Sequence, residues 1–397
     1  MPKTKIAFFI NFLKIGGVEK ALLNLVKILP KEKFDTTVYV GIKEGELLEE
    51  IEKYAKVEEI PGFEDKIVYD FKSTAKKYIK NKNYIKLIKI FLRKLKIKLQ
   101  KRETNLLALD LEKLEEEFDI AVAYQVPISA ITVYVAENVN ANKKILWSHC
   151  DMLSVDKKII DSYEKYIDKF QKIISVSEET NKHFKELMPK QKSKCIYVDN
   201  VLDIEGIRKL SEVKIDDMHS RKEEIKLLTV ARLAKGKGID LAIDTTRKLI
   251  DNGYKIKWFI VGDGEERENL ENKVKENNIE KNFILLGSRK NPYPYFKNCD
   301  IYIQTSEFEG ACTATIEAKI LEKPIITTNT SGVNKNFINE KNSLIVNYDS
   351  SEIYNSIVKM LNPDLRQKFV DDIIKKGFKQ NNNFLKILDK EEKNAIN

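Results

Sequence analysis

The sequence predicts an α/β protein that consists of two doubly wound, Rossmann-like domains. Short apolar runs alternate with helical patterns along nearly the whole chain, which is typical of parallel sheets joined by crossover helices. The polar, charged residues 203–224 interrupt this series, which then begins again. The length of 397 residues also suits two domains. We therefore expect domains at residues 1–203 and 204–397, with the last helix packing back on the first domain.

Each domain has its own series of strand patterns. The first domain contains the strand candidates KIAFFIN, TTVYV, DIAVAY, KKIL and KIISV. A helix after Gly17 has one apolar face, formed by Val18, Ala21, Leu22, Leu25 and Ile28. Ser177 has the residue type and position of a helix N-cap. The second domain contains IKLLTV, KWFIV, FILLG, DIYIQ, PIITT and SLIV. Ligands of such folds bind at the carboxyl ends of the strands, so the loops that follow these strands are the first place to look for a site.

Composition excludes several classes of protein. Apolar residues make up 42% of the chain, which is enough for sizeable cores. The four cysteines have neither CxxC nor metal-ligand spacing, and this indicates free thiols in a reducing compartment. The start of the sequence has no secretory signal pattern. The uncharged residues 120–136 are split by Pro127 into a strand pattern and a helix pattern, so we expect a soluble, cytoplasmic protein.

Positive charge is concentrated in one segment. The net charge is +9, yet residues 66–102 carry fourteen Lys or Arg against the single acid Asp70, so this segment contributes +13 and the remainder −4. We expect a basic helical insertion at about residues 66–117. One helical face would hold Ile88, Phe91, Leu92, Leu95 and Leu99, and the other largely Lys86, Lys89, Arg93 and Lys96. This layout predicts that Lys66–Arg102 docks peripherally on the anionic inner face of the plasma membrane. The alternative is an ordinary helix with its apolar face on the sheet.

The motif richest in candidate binding groups is Gln304–Lys323, QTSEFEGACTATIEAKILEK. It follows a buried strand pattern and enters a helix near Thr313, whose unpaired N–H groups suit phosphate or sugar oxygens. The small residues Gly310, Ala311 and Cys312 would let a ligand approach the backbone. Glu309 precedes this turn and Glu317 follows it by one helical turn, and carboxylates can each accept two sugar hydroxyls. The alternative is a strand–loop–helix with two solvated glutamates.

A second motif, LTVARLAKGKGI, places Arg232 and Lys237 in the loop between a strand and a helix. Two converging cations could hold a diphosphate, whose charge grows as a sugar departs. A solvated basic turn is the alternative. The turn VGDGEER at residues 261–267 is a weak signal, because no GxGxxG with a downstream ribose acid is present.

In the first domain two further loops are candidates. Gly16 and Gly17 lie between the first strand and its helix, where the backbone could approach a phosphate, although a structural turn is an equally good explanation. His149 follows the strand KKIL, between a tryptophan and an aspartate, and is a candidate for the site. His183 and His219 have no such setting, so we expect no role for them.

The ordered series GGVEK, WSHCD, SVSEE, NVLD, ARLAKGKG, VGDGEE and EGACTATIEA resembles family 4 of the retaining glycosyltransferases. It is most similar to bacterial capsular and surface-polysaccharide enzymes of this family, and the resemblance spans roughly residues 6 to 360. It implies the GT-B fold, two Rossmann-like domains that face each other across a cleft, with residues 1–203 as the acceptor-side domain and residues 204–397 as the nucleotide-sugar-binding domain. It also implies transfer of a hexose-type sugar, with retention of configuration, from a nucleotide-diphosphate sugar to a glycan or lipid-linked acceptor.

The resemblance assigns roles residue by residue. Arg232 and Lys237 would bind the donor diphosphate, Glu317 the ribose, and Glu309 with the amides of Ala311 to Thr313 the transferred sugar. Gly310 belongs to the same turn. The base would lie near Gly287 and the segment SRKNPYPYF, Gly16 and Gly17 near the diphosphate, and His149 near the reacting carbon. Many members have Phe-Gly where this chain has Ala311-Cys312, which leaves the sugar open.

Three function classes compete at this stage. The glycosyltransferase needs neither a metal nor a cofactor here, because the chain contains no D-x-D triplet and its cations and helix dipoles can neutralise a diphosphate. We expect the donor to be a UDP-sugar. A nicotinamide or flavin enzyme of the Rossmann type would need the absent dinucleotide fingerprint. A membrane- or nucleic-acid-binding protein without catalysis would explain the lysines, but no nucleic-acid module is recognisable, so no nucleic-acid partner is expected.

Overall fold

Two parallel β-sheets, one in each half of the chain, form the framework of the computed structural model. The residues that the structure describes are 2–67, 75, 78–80, 82–85, 87–88, 91–92, 103–309, 312–333, 337–377 and 384–388. The chain divides into two compact units, residues 1–199 with 382–397 and residues 200–381. The unit boundary therefore lies a few residues before residue 203.

The first sheet has seven parallel strands in the order β3-β2-β1-β4-β5-β6-β7. Their bounds are β1 Thr4–Ile10, β2 Phe34–Val40, β3 Lys56–Glu59, β4 Glu117–Gln125, β5 Asn140–Ser148, β6 Lys172–Ser175 and β7 Cys195–Tyr197. Residues 6–10 of β1 are fully buried, because helices cover both faces of such a sheet. The strand order reverses between β1 and β4, and this reversal makes their carboxyl ends a ligand position.

Helices of the first unit follow the strands in sequence. They are α1 Gly17–Ile28, α2 Leu48–Glu52, α3 Phe63–Lys66, α4 Ala130–Asn138, α5 Lys157–Ile167 and α6 Glu178–Leu187. The predicted N-cap Ser177 is confirmed, since its hydroxyl accepts a hydrogen bond from the Thr180 amide and its own amide donates to the Thr180 hydroxyl, each at 3.1 Å. The uncharged residues 120–136 form most of β4 and α4, as predicted.

The second sheet has six parallel strands in the order β10-β9-β8-β11-β12-β13. Their bounds are β8 Ile225–Val230, β9 Ile256–Val261, β10 Phe283–Gly287, β11 Ile301–Gln304, β12 Ile325–Thr328 and β13 Leu344–Val346. The helices are α7 Ile204–Ser211, α8 Ile239–Asp251, α9 Arg267–Glu276, α10 Tyr293–Asn298, α11 Thr313–Ile320, α12 Ser350–Met360 and α13 Pro363–Lys376. Here the order reverses between β8 and β11.

The last described helix, α14 (Phe384–Ile387), belongs to the first unit rather than to the second. Phe384 and Leu388 are fully buried, and the Lys143 ammonium of β5 donates a 2.7 Å hydrogen bond to the Ile387 carbonyl. Polar and apolar contacts together thus fix this short helix beside the first sheet.

The predicted strands are all present, and β3 and β7 are additional. In β3 only Val57 is buried, so this edge strand has no apolar run that the sequence could reveal. Within the described part of the chain, no helix has the length and apolarity needed to cross a bilayer. Most of the basic segment 66–102, including Lys86, Lys89, Arg93 and Lys96, lies outside the described residues.

Candidate active site

The loops that follow β8 and β11 are hydrogen-bonded to each other at the carboxyl edge of the second sheet. The Glu307 amide donates to the Gly236 carbonyl at 2.8 Å, and the Thr305 hydroxyl donates to the Lys237 carbonyl at 2.9 Å. Gly238, the N-cap of α8, has a φ of 65°, and a Cβ there would come within 2.0 Å of the Thr305 carbonyl oxygen. Glycine is therefore required where these two loops meet.

Lys237 and Glu309, predicted from separate motifs, form an ion pair across these loops. The Lys237 Nζ lies 2.7 Å from Glu309 Oε1, and the Ser306 hydroxyl donates to the same oxygen at 2.7 Å. The two side chains are 25% and 19% exposed, so the pair is partly shielded from water. Arg232 is exposed and makes no side-chain hydrogen bond or ion pair with the residues that are described. It remains available to an anion.

Helix α11 begins at Thr313, as predicted, and buries Glu317. The Tyr293 hydroxyl donates to Glu317 Oε1 at 3.0 Å, and the glutamate is only 3% exposed. Burial, reinforced by the charge of Glu317, raises the pKa of Tyr293 well above its usual value, so the tyrosine stays a donor. The interpretation of two solvated glutamates is therefore wrong for Glu317. Gly310 and Ala311 lie outside the described residues.

Cys312 occupies the N-cap of α11 in the left-handed region, with a φ of 44°. Its thiol is 3.2 Å from the Thr330 hydroxyl, and burial raises the pKa of the thiol. A buried neutral thiol is a weak nucleophile. Cys312 thus shapes the turn without being set up for covalent chemistry.

Two arginines lie near Gly287 at the end of β10, Arg267 at the start of α9 and Arg289 in the loop after β10. Gly287 has a φ of 79°, and a Cβ there would lie 3.5 Å from Arg267 Nη1 and 3.7 Å from Arg289 Nη1. Arg289 is oriented by a 2.7 Å bond to Asp217 Oδ2 and a 2.8 Å bond to the Tyr295 hydroxyl. The segment predicted to bind a base is thereby ordered by an ion pair.

In the first unit, a carboxylate from the first turn of α1 lies over the glycine that precedes this helix. A Cβ on Gly16 would lie 2.2 Å from Glu19 Oε2, so the buried Glu19 side chain covers this glycine. A Cβ on Gly17 would meet no described atom within 4 Å. A phosphate could therefore approach Gly17 freely, whereas at Gly16 it would first have to displace Glu19.

His149 follows β5, and its ring lies against that of Tyr124 with the two centroids 4.4 Å apart and the ring planes tilted by 51°. Its Nε2 is buried and has no hydrogen-bond partner among the described residues. Burial lowers the pKa of His149 to about 3, so the imidazole is neutral at physiological pH. A buried ring nitrogen without a partner is the kind of group that a bound ligand satisfies.

His183, which is not a candidate for the site, forms a structural pair with Asp151. Its Nδ1 lies 3.0 Å from Asp151 Oδ2 and 3.1 Å from Oδ1, and its side chain is 14% exposed. Asp151 also accepts a 3.0 Å bond from the Leu153 amide. The pair ties the loop that carries His149 to α6. The sequence shows Asp151 within WSHCD, but it does not show that the partner of this aspartate is a histidine 32 residues away.

No group of three or more His, Cys, Asp or Glu side chains in the described part of the chain is arranged to hold a metal ion. A polar cavity of about 530 Å³ lies by Lys5, Asp119 and Lys144 of the first unit. Lys5 and Asp119 lie in the amino-terminal halves of β1 and β4 and Lys144 in the middle of β5, whereas His149 follows the carboxyl end of β5. The cavity is therefore separate from the candidate residues.

Comparison with known proteins identifies the second unit. Residues 211–380 match the model of the family described as glycosyl transferases group 1. This segment is similar to that family. It contains Arg232, Lys237, Glu309 and Glu317, the residues that the geometry brings to one sheet edge.

Curated relatives match part of this chain. An uncharacterized glycosyltransferase of Methanocaldococcus jannaschii is 30% identical over 48% of each chain. An N-acetylgalactosamine-N,N'-diacetylbacillosaminyl-diphospho-undecaprenol 4-alpha-N-acetylgalactosaminyltransferase of Campylobacter jejuni is 30% identical, covering 44% of this chain and 46% of the relative. A capsular polysaccharide biosynthesis glycosyltransferase of Staphylococcus aureus is 28% identical over 34% and 36%. The chain thus spans about half or less of the length of these relatives.

Solved structures show the fold. Anabaena HepE in complex with UDP and glucose superimposes with a TM-score of 0.68 over 93% of each chain, at 16% identity. The predicted GT-B fold class, with two Rossmann-like parallel sheets, is confirmed.

Proposed function

We propose that this protein is a glycosyltransferase of bacterial surface-polysaccharide synthesis. It moves a hexose-type sugar from a UDP-sugar to a glycan or lipid-linked acceptor, with retention of configuration. The observation that carries the proposal is the Lys237–Glu309 ion pair at 2.7 Å, located at the sheet edge where such folds bind nucleotides. The family match over residues 211–380 supports it.

The donor would be bound by groups of opposite character on this edge. Arg232 and Lys237 would neutralise the diphosphate, and the phosphate would draw the ammonium away from Glu309. The freed carboxylate, still hydrogen-bonded to Ser306 at 2.7 Å, could then accept hydroxyls of the sugar together with the turn of Gly310, Ala311, Cys312 and Thr313. Ion-pair exchange of this kind links nucleotide binding to sugar binding.

The nucleoside would extend along the same edge. Glu317, held by Tyr293, would accept the ribose hydroxyls, and the backbone near Gly287 would contact the base. In the first unit, Gly17 has open space beside it and would accept a phosphate, and Gly16 would do so once Glu19 moves. The buried Nε2 of His149 would find a partner in a bound sugar.

The chemical step would need no protein nucleophile. The bond between the anomeric carbon and the β-phosphate oxygen breaks, the acceptor oxygen bonds to the same face of that carbon, and the acceptor proton passes to the leaving phosphate. Arg232 and Lys237 would stabilise the growing phosphate charge in place of a metal ion. The neutral His149 would contribute a hydrogen bond rather than a proton.

Donor identity can be tested directly. A panel of UDP-, GDP- and ADP-sugars is incubated with the full chain, and release of the nucleoside diphosphate is measured with and without EDTA. We expect UDP-sugars to be hydrolysed fastest and EDTA to leave the rate unchanged. A UDP-bound structural neighbour and a relative named for an undecaprenol-linked acceptor motivate these choices. A strict requirement for magnesium or manganese would contradict the proposed charge neutralisation.

Peripheral binding to the anionic inner face of the plasma membrane is the second part of the proposal. Among the described residues of the basic segment, Ile85 is 71% exposed and Ile88, Phe91 and Leu92 are 58–59% exposed. This exposure favours a helix whose apolar face binds a lipid surface, rather than a helix whose apolar face packs on the sheet. Each engaged lysine would add about 1 kcal/mol on an anionic bilayer.

Co-sedimentation with vesicles tests this docking. Binding should require anionic lipid, weaken with salt, and drop when Lys86, Lys89, Arg93 and Lys96 are changed to Gln. Equal sedimentation with neutral and anionic vesicles would leave the packed-helix alternative.

A further inference from the structure

Two aromatic side chains are exposed at the carboxyl edge of the second sheet, beside the proposed donor site. Phe308, in the loop after β11, is 55% exposed, and Tyr348, in the loop after β13, is 39% exposed. They are the exposed large aromatic residues of this unit among those described. Because β11, β12 and β13 are neighbouring parallel strands, both loops emerge at the same edge. Single exposed apolar residues are common, so their shared position is the informative feature.

The backbone holds Phe308 in its exposed position. Bonds from the Glu307 amide to Gly236 and from the Thr305 hydroxyl to Lys237 fix the loop before it, at 2.8 Å and 2.9 Å. On its other side, Glu309 is bound by Ser306 and Lys237. A Cβ at Gly236 would lie 4.0 Å from the Phe308 ring, an ordinary van der Waals distance, so the ring lies beside this loop. The ring is therefore presented by a braced loop.

The loop that carries Tyr348 is braced in the same way. The Asn347 amide and side chain donate to the two carboxylate oxygens of Glu352 at 2.8 Å and 2.7 Å. The Lys248 ammonium of α8 donates to the Ser350 hydroxyl at 3.0 Å, which brings this loop against the helix that begins at Ile239. Both aromatic rings thus stand on ordered backbone.

Exposed carboxylates accompany these rings. Glu307 and Asp240 are both exposed. Burial, and then the charges of Asp240 and Glu307, raise the pKa of Tyr348. Carboxylates accept hydroxyl protons, whereas aromatic faces contact the C–H faces of a sugar ring. The carboxylates also interrupt the apolar surface. A protein-docking patch would need a contiguous apolar area of several hundred Å², so this surface does not have the character of such a patch. The combination suits a polyol with apolar faces.

We infer that Phe308 and Tyr348, with Glu307 and Asp240, form a subsite for a pyranose ring of the acceptor glycan. Phe308 is adjacent in sequence to Glu309, so an acceptor sugar on its ring lies next to the transferred sugar. This inference rests on the proposed function, because the subsite would bind the acceptor of the proposed transfer reaction. It assigns specificity to residues outside the donor-binding groups.

Kinetics with and without acceptor test this subsite. Hydrolysis of the UDP-sugar by water reports the donor site alone, and transfer to a panel of p-nitrophenyl glycosides reports the acceptor site. Phe308→Ala and Phe308→Leu should raise the KM for the glycoside about two- to tenfold, the range expected for loss of one aromatic stack. Phe308→Trp should restore it. Tyr348→Ala should act in the same direction, and Ile374→Ala, which removes a residue 52% exposed on α13, is the matched control.

Three results would overturn parts of this reasoning. An unchanged acceptor KM in both Phe308→Ala and Tyr348→Ala removes the subsite but leaves donor hydrolysis, and hence the proposed function, intact. An equal rise in the donor KM for hydrolysis shows that the ring contacts the donor sugar instead. If the wild-type protein hydrolyses no nucleotide sugar, the proposed function fails. In that case, saturation-transfer NMR with the same glycosides still tests the subsite, because it compares sugar binding by the wild type with sugar binding by Phe308→Ala.

Discussion

Replacing Lys237 by alanine separates a functional ion pair from a structural one. The Nζ lies 2.7 Å from Glu309 Oε1, but Glu309 keeps its 2.7 Å bond from Ser306 in the variant. Since both side chains are partly exposed and the carboxylate keeps one donor, the free energy of unfolding should fall by only about 1 kcal/mol. The rate should fall by ~10²–10³, or ~2.7–4 kcal/mol of transition-state stabilisation, because a charge facing the leaving diphosphate is lost.

The assay compares kcat/KM for hydrolysis of a UDP-sugar with unfolding in urea, for wild type, Lys237→Ala and Lys235→Ala. Lys235 is exposed on the same loop and controls for a general loss of positive charge. A Lys237→Ala variant that is folded and within threefold of the wild-type rate would refute the diphosphate role. An equal loss in Lys235→Ala would show that the effect is only long-range attraction of the donor.

Three further predictions follow from single contacts. Gly17→Ala should preserve or slightly raise stability, because no described atom lies within 4 Å, yet raise the donor KM if the phosphate approaches there. Burial lowers the pKa of His149 to about 3, so the unfolded chain takes up a proton that the folded protein does not. The contribution of the neutral His149 to stability is complete above about pH 6.5 and is lost as pH falls toward 3. Between pH 7 and pH 5, the free energy of unfolding measured in urea should therefore fall by ~1–2 kcal/mol more for the wild type than for His149→Gln. His183→Ala removes a donor from Asp151, whose side chain is 8% exposed, and should lower the free energy of unfolding by ~1–3 kcal/mol in the same assay.

The fold could be predicted because its central strands are apolar without interruption. Strands covered on both faces need apolar residues at every position, as in residues 6–10, and such runs are visible in the sequence. Edge strands are half covered, so β3 could not be found: its sequence KVEE buries only Val57. The boundary expected between the domains differs from that of the structural units by a few residues.

The sequence predicts the proximity of site residues only where both residues follow strands of the same parallel sheet. Lys237 and Glu309 are 72 residues apart, but both follow strands of one parallel sheet, so their proximity could be anticipated. The bond between His183 and Asp151 depends on how α6 is rotated about its axis, which the sequence pattern does not specify. The Glu19 carboxylate over Gly16 likewise depends on one side-chain rotamer.

The return of α14 to the first unit has a consequence for synthesis on the ribosome. Its contacts with Lys143 and the core complete a unit whose other residues precede position 200. Between the two parts lie residues 200–381, which at translation rates of ~5–20 residues per second take about 10–40 s to make. Throughout that interval the nascent first unit exposes the apolar surface that Phe384 and Leu388 later cover. This surface is a natural point of contact for chaperones, and the second unit has time to fold before the first is closed.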